Sequence, residues 1–144
     1  MKLELNDTPQ GIASCFAVMS LLRSTFTQQQ FVQQVLVQQR QGYQLLSASQ
    51  GDEIPGVAGF VIASKLAWGK HLYVDDLVTA QGSRSRGIGR HILMWLTDYA
   101  VKQQCIQLHL DSGVQRFDAH KFYLREGFHI SSHHFALDLP NLLS

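Results

Sequence analysis

Arg84-Ser85-Arg86-Gly87-Ile88-Gly89-Arg90 gathers three arginines and two glycines into seven residues. Glycine lets a backbone approach an anion closely, and arginine adds full positive charge. A strand-like run, His71 to Thr79, precedes this stretch, and a helix-like run, Ile88 to Val101, follows it. Such a loop aims the unpaired first amides of a helix, and the positive end of its dipole, at whatever fills it. The chemistry is that of a pyrophosphate cradle. It is not a P-loop, because Arg90 and His91 stand where Lys and Ser or Thr would be needed. Nor is it a dinucleotide fingerprint, which needs three glycines near the start of the chain. The pattern that remains is R-x-x-G-x-G, from Arg84 to Gly89.

A second candidate group is acidic. Asp75 and Asp76 lie in the strand-like run ahead of the loop. On a regular strand they point to opposite faces, so at most one of them normally faces a cleft, where it could serve an amine as base or counter-ion. A carboxylate beside a cationic loop has its pKa lowered, which favours binding the amine over deprotonating it. The alternative is a strand-edge carboxylate paired with a nearby arginine. Arg23, at the end of a first helix, reads as a solvated arginine that favours the helix dipole. His129 and His133 share a strand face but stand ~13 Å apart along it, too far for one metal. With His134 they read as solvated or substrate-side groups, and His109, within an alternating run, is expected to be buried.

The chain that must position these residues has 144 amino acids, 45% hydrophobic and 16% charged. That composition fits one folded domain spanning 1–144 and argues against disorder. A net charge of +1 provides no global field for nucleic acid or an anionic membrane. Cys15 and Cys105, each on an apolar stretch, read as reduced core thiols. The first residues lack a signal-peptide core and no apolar run reaches the ~20 residues of a membrane span. A cytoplasmic location is expected.

Hydrophobic periodicity orders the elements. Leu3 and Leu5 suggest a short strand, and Ile12, Cys15, Phe16, Met19 and Leu22 mark one amphipathic helix. Thr27 is placed to cap a second helix carrying Phe31, Val35 and Leu36. Strands are expected over Tyr43–Ser49, Val57–Leu66 and the run ending at Thr79, joined by tight turns and hence antiparallel. After the helix at Ile88, Ile106, Leu108 and Leu110 alternate in a strand that a crossover makes parallel to its predecessor. A helix over 116–126 stops at Gly127, and Phe128–Leu139 is expected to be a last strand.

The loop, the element order and Ala119-His120-Lys121-Phe122-Tyr123-Leu124-Arg125-Glu126-Gly127-Phe128 together resemble the GNAT N-acetyltransferase superfamily, where A-x-x-x-Y-x-x-x-G-F recurs. The wording of Leu66-Ala67-Trp68-Gly69-Lys70 and Val74–Thr79 is similar to a small-molecule branch, and Asp118 to Gly127 to the aminoalkylphosphonate acetyltransferases. The resemblance implies an α/β fold: a mixed, mostly antiparallel sheet of about six strands with helices on both faces. It implies acetyl-CoA as co-substrate, held by Arg84, Ser85, Arg86, Gly87, Ile88, Gly89 and Arg90, by the backbone of Leu77, Val78 and Thr79, and by Ala119 and Tyr123. Tyr123 would protonate the departing thiolate, as a phenol of pKa ~10 can, and Asp76 would be the acidic residue beside the amine. Arg116 stands where many members have Asn, and the implied fold puts Arg23 at the lip of the acceptor cleft, where it would grip a substrate carboxylate or phosphonate. The expected activity is acetyl transfer to a small primary amine; the competing reading is a catalytically silent acyl-CoA-binding regulatory module. Apolar residues in Phe128–Leu139 suggest a homodimer.

Overall fold

The computed structural model describes residues 1–82 and 87–140. Their packing separates two compact units, Met1–Leu110 and the residues from Asp111 onward. In the first unit the elements are β1 (Lys2–Leu5), α1 (Pro9–Ser14), α2 (Phe16–Met19), α3 (Gln28–Gln39), β2 (Gln44–Gln50), β3 (Glu53–Lys65), β4 (Gly69–Thr79), α4 (Ile88–Lys102) and β5 (Gln107–Leu110). The second holds α5 (Phe117–Arg125). The strands form one sheet in the order β1-β2-β3-β4-β5. β1 to β4 pair antiparallel, and β4 and β5 pair parallel. The mixed α/β sheet expected from the sequence is present, with five strands among the described residues where about six were expected.

Helices cover both faces of the sheet. On one face Ile12, Val18, Met19, Phe31 and Val35 of α1 to α3 form a buried cluster with Tyr43, Leu45 and Val57. On the other, Trp95 and Tyr99 of α4 meet Phe60 edge-on, with ring centroids 6.3 and 5.7 Å apart. Strand alternation divides these faces: Val57 and Gly59 look toward α1–α3, Gly56 and Phe60 toward α4.

Local chemistry accounts for most boundaries. Thr8 caps α1, accepting from the Gly11 amide at 3.1 Å, with Pro9 in the first turn. Thr27 and Gln30 close a reciprocal capping box on α3. The single helix expected from Ile12 to Leu22 is instead two short ones. The Cys15 amide donates to the Ile12 carbonyl three residues back, and this tightened turn redirects the chain.

The expected last strand does not form: among the described residues, 128–140 carry no regular secondary structure. The apolar positions explain why. Phe128 and Ile130 keep one phase, while Phe135, Leu137 and Leu139 keep the opposite one. A pattern that changes face halfway does not define a single pleated surface.

Candidate active site

β4 carries the irregularity on which the site is built. Val74 lies opposite Phe60, but Asp76, not Asp75, lies opposite Gly59. Asp75 is therefore the extra residue of a β-bulge, which bends the strand and resets its alternation. The bulge brings Asp76 to the α1–α3 face, where regular alternation from Val74 would have sent it to the α4 face. The unbroken strand expected through Asp75 and Asp76 gives way to a bulge at Asp75.

Beyond the bulge, among the described residues, β4 has a partner strand on one edge only. β3 pairs with it as far as Thr79, whereas β5 pairs only with His71 to Val74. Among the described residues, Asp75 to Thr79 have no strand partner on the β5 edge. Leu77, Val78 and Thr79 are half-buried there. A backbone edge of this kind can hydrogen-bond an extended ligand as another strand would.

Asp76 is held on both oxygens. Arg23 donates from Nε to Oδ1 at 2.8 Å, and Tyr43 donates from its hydroxyl to Oδ2 at 2.8 Å. Arg23 also donates from Nη2 to the carbonyl of the bulged Asp75 at 3.0 Å. Asp76 is thus an arginine-paired carboxylate, the bland alternative weighed from sequence, and Arg23 is not simply solvated. Burial, then the charge of Asp76, drives the Tyr43 phenol well above its usual value of 10, so it remains a donor. Partial burial, reinforced by Asp76 and opposed by Arg23, raises the Asp75 carboxyl above 3.8.

Sequence reasoning missed Tyr43 and Gly59. A Cβ at Gly59 would overlap the hydroxyl oxygen and Cζ of Tyr43. A glycine inside an otherwise apolar strand is the available signal, since it marks a close approach by another group.

Gly87 opens α4 in the left-handed region, φ 68°, with no side chain capping the helix. A residue with a Cβ is strained in that region. The first intrahelical bond runs from the His91 amide to the Gly87 carbonyl at 3.0 Å. The amides of Ile88 and Gly89 come before it and are left for an outside acceptor. Arg90 is exposed on the first turn. Arg84, Ser85 and Arg86 lie outside the described residues.

Ala119 and Tyr123 lie four residues apart on α5, hence on one face of it. Tyr123 is buried, its ring against Phe122 and Phe128 at 5.4 and 5.7 Å. Burial raises its phenol above 10, with Arg116 pulling the other way. The phenol therefore keeps its proton near neutrality. Cys15 is fully buried, and that burial pushes its thiol up to about 11; it is no nucleophile at neutral pH. Cys105 is only half-buried, against the expectation of a core thiol. His109 is also half-buried and stacks on Trp68 with centroids 3.6 Å apart. Among the described residues no group of His, Cys, Asp and Glu could hold a metal ion. No helix among them is long and apolar enough to cross a membrane.

An open strand edge beside an uncapped, glycine-started helix fits the resemblance seen in the sequence. Residues 13–128 match the model of the acetyltransferase (GNAT) family. The chain belongs to this family. GNAT members are acetyltransferases that take acetyl-CoA as donor, so the chain is an enzyme of the acetyl-transferring class. It is 33% identical over 125 residues to the uncharacterized N-acetyltransferase YhdJ of Bacillus subtilis (strain 168), covering 85% of this chain and 88% of that protein. It is 34% identical over 55 residues to the aminoalkylphosphonate N-acetyltransferase of Salmonella typhimurium, 38% of this chain and 36% of that one. The solved ribosomal-protein-alanine N-acetyltransferase from Brucella melitensis biovar Abortus 2308 superposes with a TM-score of 0.82 at 15% identity. That match covers 96% of this chain and all of the other, and it shows a shared GNAT fold.

Proposed function

We propose that this GNAT enzyme transfers the acetyl group of acetyl-CoA directly to a primary amine of a small polar metabolite. The observation that carries the proposal is the β4 edge, which beyond Val74 has no strand partner on the β5 side among the described residues and runs toward the uncapped start of α4. The α4 amides, with Arg84, Ser85, Arg86 and Arg90, would hold the pyrophosphate. The backbone of Leu77, Val78 and Thr79 would bind the pantetheine arm and polarise the thioester carbonyl. Ala119 would contribute an apolar contact beside Tyr123.

In the reaction the amine nitrogen attacks the thioester carbon, and the tetrahedral intermediate collapses by breaking the carbon–sulfur bond. The thiolate takes a proton from Tyr123, and the nitrogen loses one to Asp75 or solvent. Asp75 suits that role better than Asp76, because both oxygens of Asp76 already accept hydrogen bonds. Asp76 and Arg23 would shape the acceptor side. A buried Cys15 thiol held protonated is consistent with transfer that forms no acyl-enzyme.

A small amine is favoured over a basic peptide because Arg23 neutralises Asp76, one of the two adjacent carboxylates at the bulge. The test is a thiol-release assay over a panel of amines, preceded by calorimetry with acetyl-CoA. Turnover on a small amine, with micromolar or better cofactor binding, is the expected result. Cofactor binding with no turnover on any amine would instead favour a silent acyl-CoA-binding regulatory module.

A further inference from the structure

The bulge at Asp75 decides which backbone groups β4 presents to its open edge. Successive amides along a strand point to opposite edges. If the extra residue were lost, the pairing of Val74 with Phe60 would continue as Asp75 opposite Gly59 and Leu77 opposite Val57. Every residue from Asp76 to Thr79 would then exchange both its face and the edge to which its amide points. The amides of Leu77 to Thr79 present the right pattern only while the bulge persists.

Three contacts hold it in place. Asp76, the residue after the bulge, is fixed on Oδ1 by Arg23 and on Oδ2 by Tyr43. Arg23 also takes the carbonyl of the bulged residue itself. Tyr43 reaches Asp76 only because Gly59, the residue opposite, has no side chain. Arg23 follows α2 and Tyr43 immediately precedes β2, so groups distant in sequence converge on one carboxylate.

We infer that Tyr43 is a positioning residue for acetyl transfer: through Asp76 and with Arg23, it locks the register of β4 and so sets the donors offered to the thioester arm. This rests on the acetyl-CoA reading above. The lock acts on the arm of the cofactor and not on its nucleotide end, which the start of α4 would hold.

The experiment compares wild type with Tyr43→Phe, which deletes only the hydroxyl, and Gly59→Ala, which expels it. Tyr99→Phe is the control: it removes another tyrosine hydroxyl, bonded to Gln44 at 3.2 Å and directed to α4's side of the sheet. Calorimetry is run with acetyl-CoA and with adenosine 3′-phosphate 5′-diphosphate, the part of CoA that lacks the arm. Amide hydrogen exchange is followed at Val78, whose amide faces β3 as that of Ala80 does in donating to the Pro55 carbonyl. In Tyr43→Phe and Gly59→Ala, acetyl-CoA affinity should fall roughly tenfold or more, the effect of losing a buried bond to a charged group. The nucleotide fragment should bind as before, and the Val78 amide should exchange faster. Tyr99→Phe should change none of these.

Unchanged acetyl-CoA affinity and unchanged protection in Tyr43→Phe would overturn the inference. Equal loss for both ligands would also do so, since that is general loosening of the fold. If wild type bound neither ligand, the acetyl-CoA reading would fall, while the exchange measurement would still decide whether Tyr43 locks the strand.

Discussion

Tyr123 combines burial with a phenol that burial holds protonated, and among the described residues no hydrogen bond engages its hydroxyl. Its aromatic contacts with Phe122 and Phe128 belong to the ring alone. Tyr123→Phe should therefore leave stability close to wild type. If the phenol is the acid that protonates the thiolate, kcat should fall by roughly 10²–10⁴-fold, with acetyl-CoA affinity preserved. Stopped-flow thiol release and calorimetry measure the two effects separately. Lost affinity with unchanged kcat would make Tyr123 a cofactor contact only. The raised phenol does not limit this role near pH 7, because an acid must arrive protonated, and raising its pKa extends the range in which it does.

At the scale of elements, the start of α4 depends on glycines for two different reasons. Gly87 has room beside it, with His91 Nδ1 at 3.9 Å from a built Cβ, but its φ of 68° strains any other residue. Gly56 has an ordinary backbone but no room: a Cβ there would lie 2.7 Å from Ile88 Cγ2 and 2.8 Å from Ile92 Cδ1. Gly56→Ala should push α4 off β3 and destabilise the fold by about 1–3 kcal/mol, as overpacking does. Gly87→Val should instead abolish acetyl-CoA binding and leave the fold largely intact, since the strain and the bulk fall on the loop. Denaturant titration and calorimetry on the same pair of variants test this contrast. Equal effects of both on binding and stability would contradict it.

At the scale of the whole molecule, the expected homodimer remains a proposal. It draws support from residues 128–140, where Ile130, Phe135, Leu137 and Leu139 are 75–92% exposed. Apolar side chains grouped in this way mark contact surfaces more often than solvated ones. We expect light scattering to give a dimer, and Phe135→Glu with Leu137→Glu to shift it toward monomer without unfolding the chain. A wild-type monomer at working concentration would refute the proposal.

Much of this protein was legible in its sequence because the signals are local. The capping box at Thr27 and Gln30, the glycine start of α4, and the alternating strands each depend on residues within a few positions of one another. Strand pairing followed as well, since short turns force antiparallel neighbours and a crossover helix permits a parallel one. Tertiary structure alone decided the rest. One added residue in β4 moved Asp76 to the other face, and no local pattern announces a bulge whose cause lies across the sheet at Gly59 and Tyr43. The break at Cys15 is a local backbone turn that side-chain periodicity does not register, and the change of apolar phase between Ile130 and Phe135 accounts for the missing strand over 128–139. Periodicity says which face a residue could take, but packing and available hydrogen-bond partners decide whether the element forms.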